Sequence, residues 1–124
     1  MKKNLLIVDD SVFLQSLLRD RLEAEGFAVS QAFDGEQGLE MVKGQQCDLV
    51  LLDVKMPGLN GFEVCRKIKA DPLTKDIPVM FLTVMAQKAD VEEGLAAGAQ
   101  AYFTKPYESE ELVNEIKKLL PEKE

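Results

Sequence analysis

Leu49-Val50-Leu51-Leu52-Asp53 is an apolar run without alternation that stops at a single acid. A strand covered by helices on both faces reads as such a run, whereas a strand with one wet face alternates. Three other stretches share the form. Leu5-Leu6-Ile7-Val8 ends in Asp9-Asp10, Pro78-Val79-Met80-Phe81-Leu82 ends in Thr83, and Ala101-Tyr102-Phe103 leads into Thr104-Lys105-Pro106. In open parallel sheets, ligands gather beyond the carboxyl ends of the strands. The pattern predicts that the carboxylates of Asp9, Asp10 and Asp53, the Thr83 hydroxyl and the Lys105 ammonium share one edge of one sheet. Such a set suits a divalent cation and a phosphoryl group.

Between these runs the chain carries helical periodicity. Strands are expected near residues 4–8, 27–32, 48–52, 78–82 and 100–103, and helices near 11–25, 35–43, 61–70, 87–97 and 108–120. That alternation predicts an α/β fold with a five-stranded parallel sheet between two helical layers. In the first helix, Leu14, Leu17, Leu18 and Leu22 form a stripe expected to face the sheet, closed by Gly26 as a C′ glycine. Asp34 is placed to cap the second helix with Gln37 at the reciprocal position, and Gly98 closes the fourth. Leu112, Val113, Ile116, Leu119 and Leu120 line the fifth, which Pro121 stops. One domain over residues 1–120 is expected, with 121–124 as a tail or the start of a linker.

Composition narrows the function classes. The chain has 124 residues, near the commonest domain size, with 46% hydrophobic and 30% charged residues. Its 22 acids against 15 bases give a formal charge of −7, which argues against direct nucleic-acid binding by this domain. No apolar run approaches the roughly 20 residues needed to cross a bilayer. The basic start Met1-Lys2-Lys3-Asn4 meets Asp9-Asp10 too soon for a signal peptide, so a cytoplasmic location is expected. Cys47 and Cys65 fit no metal or redox spacing and read as buried reduced thiols. The absence of histidine excludes His-based triads, His metal sites and a self-contained phosphohistidine relay.

If the first and third strands are neighbours, as in the strand order 2-1-3-4-5, Asp9, Asp10 and Asp53 meet. Ionised carboxylates that close repel and raise one another's pKa, and a hard cation relieves the conflict. Magnesium binds through one or two carboxylates together with substrate phosphate. One carboxylate then remains to attack phosphorus, an established form of covalent catalysis. Asp53, alone at the end of the most apolar strand, is the better nucleophile, and Asp9-Asp10 the better metal-holding pair. Lys105 offers a compact positive charge to phosphoryl oxygens and Thr83 a hydroxyl donor.

The pieces Val8-Asp9-Asp10-Ser11, Leu52-Asp53-Val54-Lys55-Met56-Pro57-Gly58-Leu59-Asn60-Gly61, Leu82-Thr83 and Lys105-Pro106 closely resemble the receiver domain of two-component response regulators, of the single-domain chemotaxis type. The likeness runs from about Lys3 to Leu120. It implies a flavodoxin-like fold and a signalling domain that catalyses only its own phosphorylation and slow hydrolysis, not an independent enzyme. By that resemblance Asp53 accepts a phosphoryl group from the phosphohistidine of a sensor histidine kinase or histidine phosphotransfer protein. Asp10, Asp53 and the backbone carbonyl of Lys55 would hold Mg2+ (or Mn2+), with Asp9 helping through water. Thr83 and Tyr102 would be the switch pair, and the Lys105-Pro106 bond cis. The implied output is a downstream protein partner or effector domain, met through the fourth helix, fifth strand and fifth helix, with a phosphorylation-dependent dimer as one form.

Two positions depart from the family pattern: Val84, where a small residue is usual, and Lys55, which brings a second long cation. Both are expected to tune phosphorylation and dephosphorylation rates. Val12 and Phe13, off or at the edge of the first helix's stripe, suggest a docking surface for the kinase or phosphotransfer helix pair, although Phe13 could equally complete the core. A flavodoxin-type FMN carrier would need a Ser/Thr/Gly-rich loop where Asp9-Asp10 stands. Neither GxxxxGK[ST] nor GxGxxG occurs, and an aspartyl-phosphate phosphatase would lack room for a substrate cap. The remaining alternative is a non-switching receiver acting as a protein-interaction module.

Overall fold

Each apolar run becomes a strand whose side chains alternate between two buried layers. The computed structural model describes residues 2–120. In chain order the elements are β1 (Asn4–Val8), α1 (Val12–Ala24), β2 (Ala28–Ala32), α2 (Gly35–Gly44), β3 (Leu49–Leu52), α3 (Gly61–Ala70), β4 (Val79–Thr83), α4 (Lys88–Ala96), β5 (Ala101–Thr104) and α5 (Ser109–Leu119). The strands pair in parallel in the order β2-β1-β3-β4-β5, as predicted. On one face Leu6, Val8, Val50, Leu52, Val79 and Phe81 pack with Val42, Phe62, Val64 and Ile68. On the other, Leu5, Ile7, Leu49, Leu51, Met80 and Leu82 pack with Leu18, Leu22, Leu112, Val113 and Ile116.

Element ends differ from the expected ones by a residue, and two of these shifts matter. β4 and β5 each run one residue further, so Thr83 pairs with Thr104 as part of the ladder and not of a loop. The helix punctuation holds in most places. Ser11 caps α1 by accepting from the Leu14 N–H, and Gly26 follows it at φ +99°. Asp34 accepts from the Gln37 N–H at 2.8 Å, but Gln37 Oε1 accepts from Phe33 N–H at 2.7 Å, one residue before the reciprocal position expected. Gly98 follows α4 at φ +108°. Asn60 and Glu63 form a capping box at the start of α3, fixing the end of the loop after β3. The expected stop at Pro121 and the tail beyond it lie outside the described residues.

The stripe expected on α1 is corrected. Leu18 and Leu22 are buried, but Leu14 and Leu17 are 41% and 54% exposed, and Gln15 is buried in their place. Residues 15, 18 and 22 share the face that meets the sheet, and Leu14 and Leu17 stand to one side of it. Phe13 is 71% exposed and Val12 is exposed too, so Phe13 does not complete the core. Both cysteines are free, yet only Cys65 is buried; Cys47 is half-buried. Desolvation pushes both thiols up to about 11.

Candidate functional site

Strand register brings the acids together. Val8 pairs with Leu52, so the residues that follow, Asp9 and Asp53, leave the sheet side by side. Both remain tied to the ladder: the Asp53 N–H donates to Val8 O at 2.9 Å and the Asp9 N–H to Ala32 O at 3.1 Å. The chain's winding reverses between β1 and β3, which opens a crevice at their carboxyl ends. There, carboxylate oxygens of Asp9, Asp10 and Asp53 lie within 4.8 Å of one another. Asp9 and Asp53 are buried and Asp10 is exposed.

Each buried acid has fixed partners. Asp9 Oδ1 accepts from the Ser11 N–H at 2.9 Å, and Asp53 Oδ1 from the Val54 N–H at 2.7 Å. Lys105 reaches both other oxygens, with Nζ 2.9 Å from Asp9 Oδ2 and 3.6 Å from Asp53 Oδ2. Its own N–H donates to Thr83 O at 2.8 Å, and the Lys105–Pro106 bond is cis, as expected. Burial pushes the Asp53 carboxyl above its usual range, further than the Lys105 charge and the Thr83 hydroxyl draw it back. Burial disfavours the Lys105 ammonium, but Asp9 and Asp53 together hold its pKa above the ordinary value. Lys105 thus pairs with two of the three clustered carboxyl groups.

The remaining candidates surround this centre. Thr83 is fully buried, and its hydroxyl accepts from the Met85 N–H at 3.3 Å. The Tyr102 hydroxyl donates to Met85 O at 2.7 Å. Its ring lies 5.5 Å from that of Phe81, centroid to centroid, and fills the space left by Gly94, where a Cβ would stand 2.8 Å from ring carbons. Lys55 is exposed at the rim of the cleft, near Asp10 and Met85. Val84 is 64% exposed and lies beside a second, apolar groove with Leu14, Leu17, Pro106 and Tyr107. Val12 and Phe13, on the first turn of α1, are exposed.

Met85 and Gln15 escaped the sequence reading, and Gly61 entered it only as the end of a matching stretch. Met85 ties Thr83 to Tyr102 through its backbone, which no side-chain pattern reveals. Gly61 lies against the Asp53–Val54 peptide, with no room for a Cβ. Gln15 is a polar residue at a core position. Its spacing from Leu18 and Leu22 was a usable signal, masked by the more apolar Leu14 and Leu17.

Comparison with known proteins agrees with this geometry. The family model described as "Response regulator receiver domain" matches residues 5–117. The DNA-binding dual master transcriptional regulator RpaA of Synechocystis is 39% identical over 116 residues, covering 94% of this chain and 48% of that protein. The chemotaxis protein CheY4 of Vibrio cholerae superposes with a TM-score of 0.90 at 28% identity, covering 97% of this chain and 100% of that one. The receiver domain of sensor histidine kinase PA1611 from Pseudomonas aeruginosa, with magnesium coordinated in its active-site cleft, gives a TM-score of 0.88 at 28% identity, over 96% and 98% of the two chains. The chain spans about half or less of the length of the curated relatives it matches. Several of those are named for DNA binding, so the expectation of no direct nucleic-acid contact gains no support from them. Among the described residues no helix is long and apolar enough to cross a membrane. The parallel sheet, its acid-lined crevice and the match over Leu5 to Lys117 together make this chain a member of the response regulator receiver domain family.

Proposed function

We propose that this receiver domain takes a phosphoryl group onto Asp53 from the phosphohistidine of a partner kinase or phosphotransfer protein, in a magnesium-dependent reaction. The observation that carries the reading is the convergence of Lys105 Nζ on Asp9 and Asp53, at 2.9 and 3.6 Å, beside three clustered carboxylates. Hard oxygen donors clustered this closely fit Mg2+ or Mn2+. Asp10, Asp53 and the Lys55 carbonyl would hold the ion, with Asp9 acting through water. The ion supplies charge neutralisation between the carboxylate and the phosphoryl oxygens.

The chain's own residues account for the rest. A carboxylate oxygen of Asp53 forms the new bond to phosphorus as the bond from phosphorus to the donor imidazole nitrogen breaks, and that nitrogen keeps the electron pair. The Val54 N–H holds Asp53 in place, and Lys105 and Thr83 stabilise the charge on the phosphoryl oxygens. Thr83 and Tyr102 both bond the backbone of Met85, so drawing Thr83 toward a phosphoryl group disturbs the Tyr102 anchor. The consequence reaches α4, β5 and α5, the proposed output face for a protein partner, an effector domain or a second copy. The apolar patch of Val12, Phe13, Leu14 and Leu17 beside the crevice is the proposed kinase-docking surface. The proposed domain spans 1–120, with 121–124 as tail or linker, and acts in the cytoplasm, where ATP-charged kinases work.

Intact-mass analysis after acetyl phosphate tests the reading. One phosphoryl addition is expected in wild type with magnesium, and none with chelator or in Asp53→Asn. Wild type that stays unlabelled with magnesium would leave a non-switching interaction module.

A further inference from the structure

One buried polar side chain lies just behind the crevice, and no step above uses it. Gln15 is 1% exposed. Its Nε2 donates to Ile7 O at 3.0 Å, Asp9 O at 3.1 Å and Ala32 O at 2.7 Å. Its Oε1 accepts from Gln31 Nε2 at 3.1 Å, and Gln31 Oε1 accepts from Arg19 Nη1 at 3.3 Å. Only the nitrogen can face a group of carbonyls, because the flipped amide would set an acceptor against acceptors.

These carbonyls lie at the carboxyl ends of β1 and β2, and that of Asp9 belongs to the site itself. β1 and β2 pair as far as Val8 and Ala32, and beyond those residues the chain leaves the sheet for α1 and for α2 respectively. The Asp9 carbonyl oxygen lies in one rigid peptide plane with the nitrogen and Cα of Asp10. Gln15 therefore fixes the plane from which Asp10 departs. Asp9 is also held through its carboxylate, by Ser11 and Lys105. Asp10 is exposed, and its aim depends more on the backbone that carries it.

We propose that Gln15 is a positioning residue for the cation site: its amide clamps the ends of β1 and β2 and thereby aims the Asp10 carboxylate at the ion. Arg19 and Gln31 hold the amide from the opposite side. The inference rests on the magnesium reading above. Groups that orient metal ligands from behind typically contribute 10- to 100-fold to metal affinity.

The test is a Mn2+ titration followed by electron paramagnetic resonance, with Mg2+ as competitor, on wild type, Gln15→Met, Gln31→Leu and Asp10→Asn. Thermal unfolding of each metal-free protein runs alongside. Gln15→Met keeps length and bulk but removes both donors, and should weaken Mg2+ binding about 10-fold. Gln31→Leu leaves those donors in place and frees only the far end of the amide, so about a threefold loss is expected, below the usual range for such partners. A folded Gln15→Met protein that loses thermal stability but binds Mg2+ like wild type would overturn the proposal. Should Gln15→Met not fold, unchanged affinity in Gln31→Leu overturns it. Asp10→Asn should abolish binding. A wild type that binds neither ion defeats the magnesium reading itself, an outcome distinct from equal binding by wild type and the glutamine variants.

Discussion

Gly61→Ala is the smallest change that should disturb Asp53 without touching its carboxylate. Gly61 opens α3, and its N–H donates to Val54 O at 2.9 Å. Its φ is not positive, so alanine meets no conformational barrier and the whole effect is steric. An added Cβ would stand 2.8 Å from Val54 Cα and 2.9 Å from the Asp53 carbonyl carbon, and closer still to the Asp53 carbonyl oxygen. All three are backbone atoms, so no flexible side chain can give way. Either α3 lifts off β3, against the packing of Phe62, Val64 and Ile68, or the Asp53–Val54 peptide rotates.

Forced overpacking costs about 1–3 kcal/mol, and alanine returns up to about 1 kcal/mol in a helix interior, less at its first position. A net loss of about 2 kcal/mol follows, or a fall in Tm of roughly 10 °C for a domain of this size. Rotation of that peptide also moves the Val54 N–H, which holds Asp53 Oδ1 at 2.7 Å. Labelling by acetyl phosphate should therefore slow more than the stability loss alone explains. Gly44→Ala is the control: a Cβ there meets nothing within 4 Å, so stability should stay level or rise slightly. Melting curves and labelling time courses of both variants decide the matter. A Gly61→Ala protein that melts within about 2 °C of wild type and labels at the same rate would refute the steric argument.

Asp53→Asn should raise the Tm of the metal-free protein at neutral pH. Burial lifts the Asp53 carboxyl above its usual range, so the unfolded chain releases that proton first and the fold loses stability as pH rises from the ordinary carboxylate value to the raised one; melting below the wild-type temperature in chelator would contradict this. Cys65 should react with iodoacetamide at pH 8 about a hundredfold more slowly than an ordinary thiol, since its pKa stands at about 11 against 9.0 and the thiolate fraction falls by that ratio. The same shift means that stability declines as pH rises from 9.0 toward about 11, because the unfolded chain ionises first. Val84→Ala and Lys55→Asn should each change the acyl-phosphate lifetime, and lifetimes equal to wild type would remove both residues from the kinetics. Phe13→Ala should slow transfer from a kinase while leaving acetyl phosphate labelling unchanged, which the two donors tested in parallel will show.

The architecture was legible because buried parallel strands carry their pattern openly. Leu49 to Leu52 and Val79 to Leu82 have no polar residue to blur them, and the acids beyond strand ends mark where the chain leaves the sheet. Asp9, Asp10 and Asp53 could be singled out from that alone, and Thr83 and Lys105 from the polar residues that close the other two runs. Less legible was anything decided by rotation about a helix axis. Leu14 and Leu17 read as core because they are apolar at helical spacing with Leu18 and Leu22, yet the sheet receives Gln15, whose amide satisfies strand-end carbonyls that a leucine would strand. Spacing could not reveal Gly61 or Gly94 as sites of contact either, since the constraint on each lies in a partner remote in sequence.

The two kinds of residue act in opposite directions on stability. Core leucines stabilise the fold wherever they are buried, whereas Asp53 is buried as a carboxylate whose ionised form the surroundings disfavour. Lys105 offsets that only in part, because it is shared with Asp9 at the shorter distance, 2.9 Å against 3.6 Å. An Asp53 bound fully to Lys105 would be a quieter carboxylate and a poorer nucleophile. Asp9→Asn frees Lys105 for Asp53 and also removes the Asp9 charge that raises the Asp53 pKa, so the metal-free protein should hold Asp53 ionised to lower pH than wild type. Carboxyl 13C shifts of Asp53 followed by NMR as the pH falls measure this directly. A titration unchanged from wild type would mean that Asp9 neither competes for the lysine nor repels the Asp53 carboxylate.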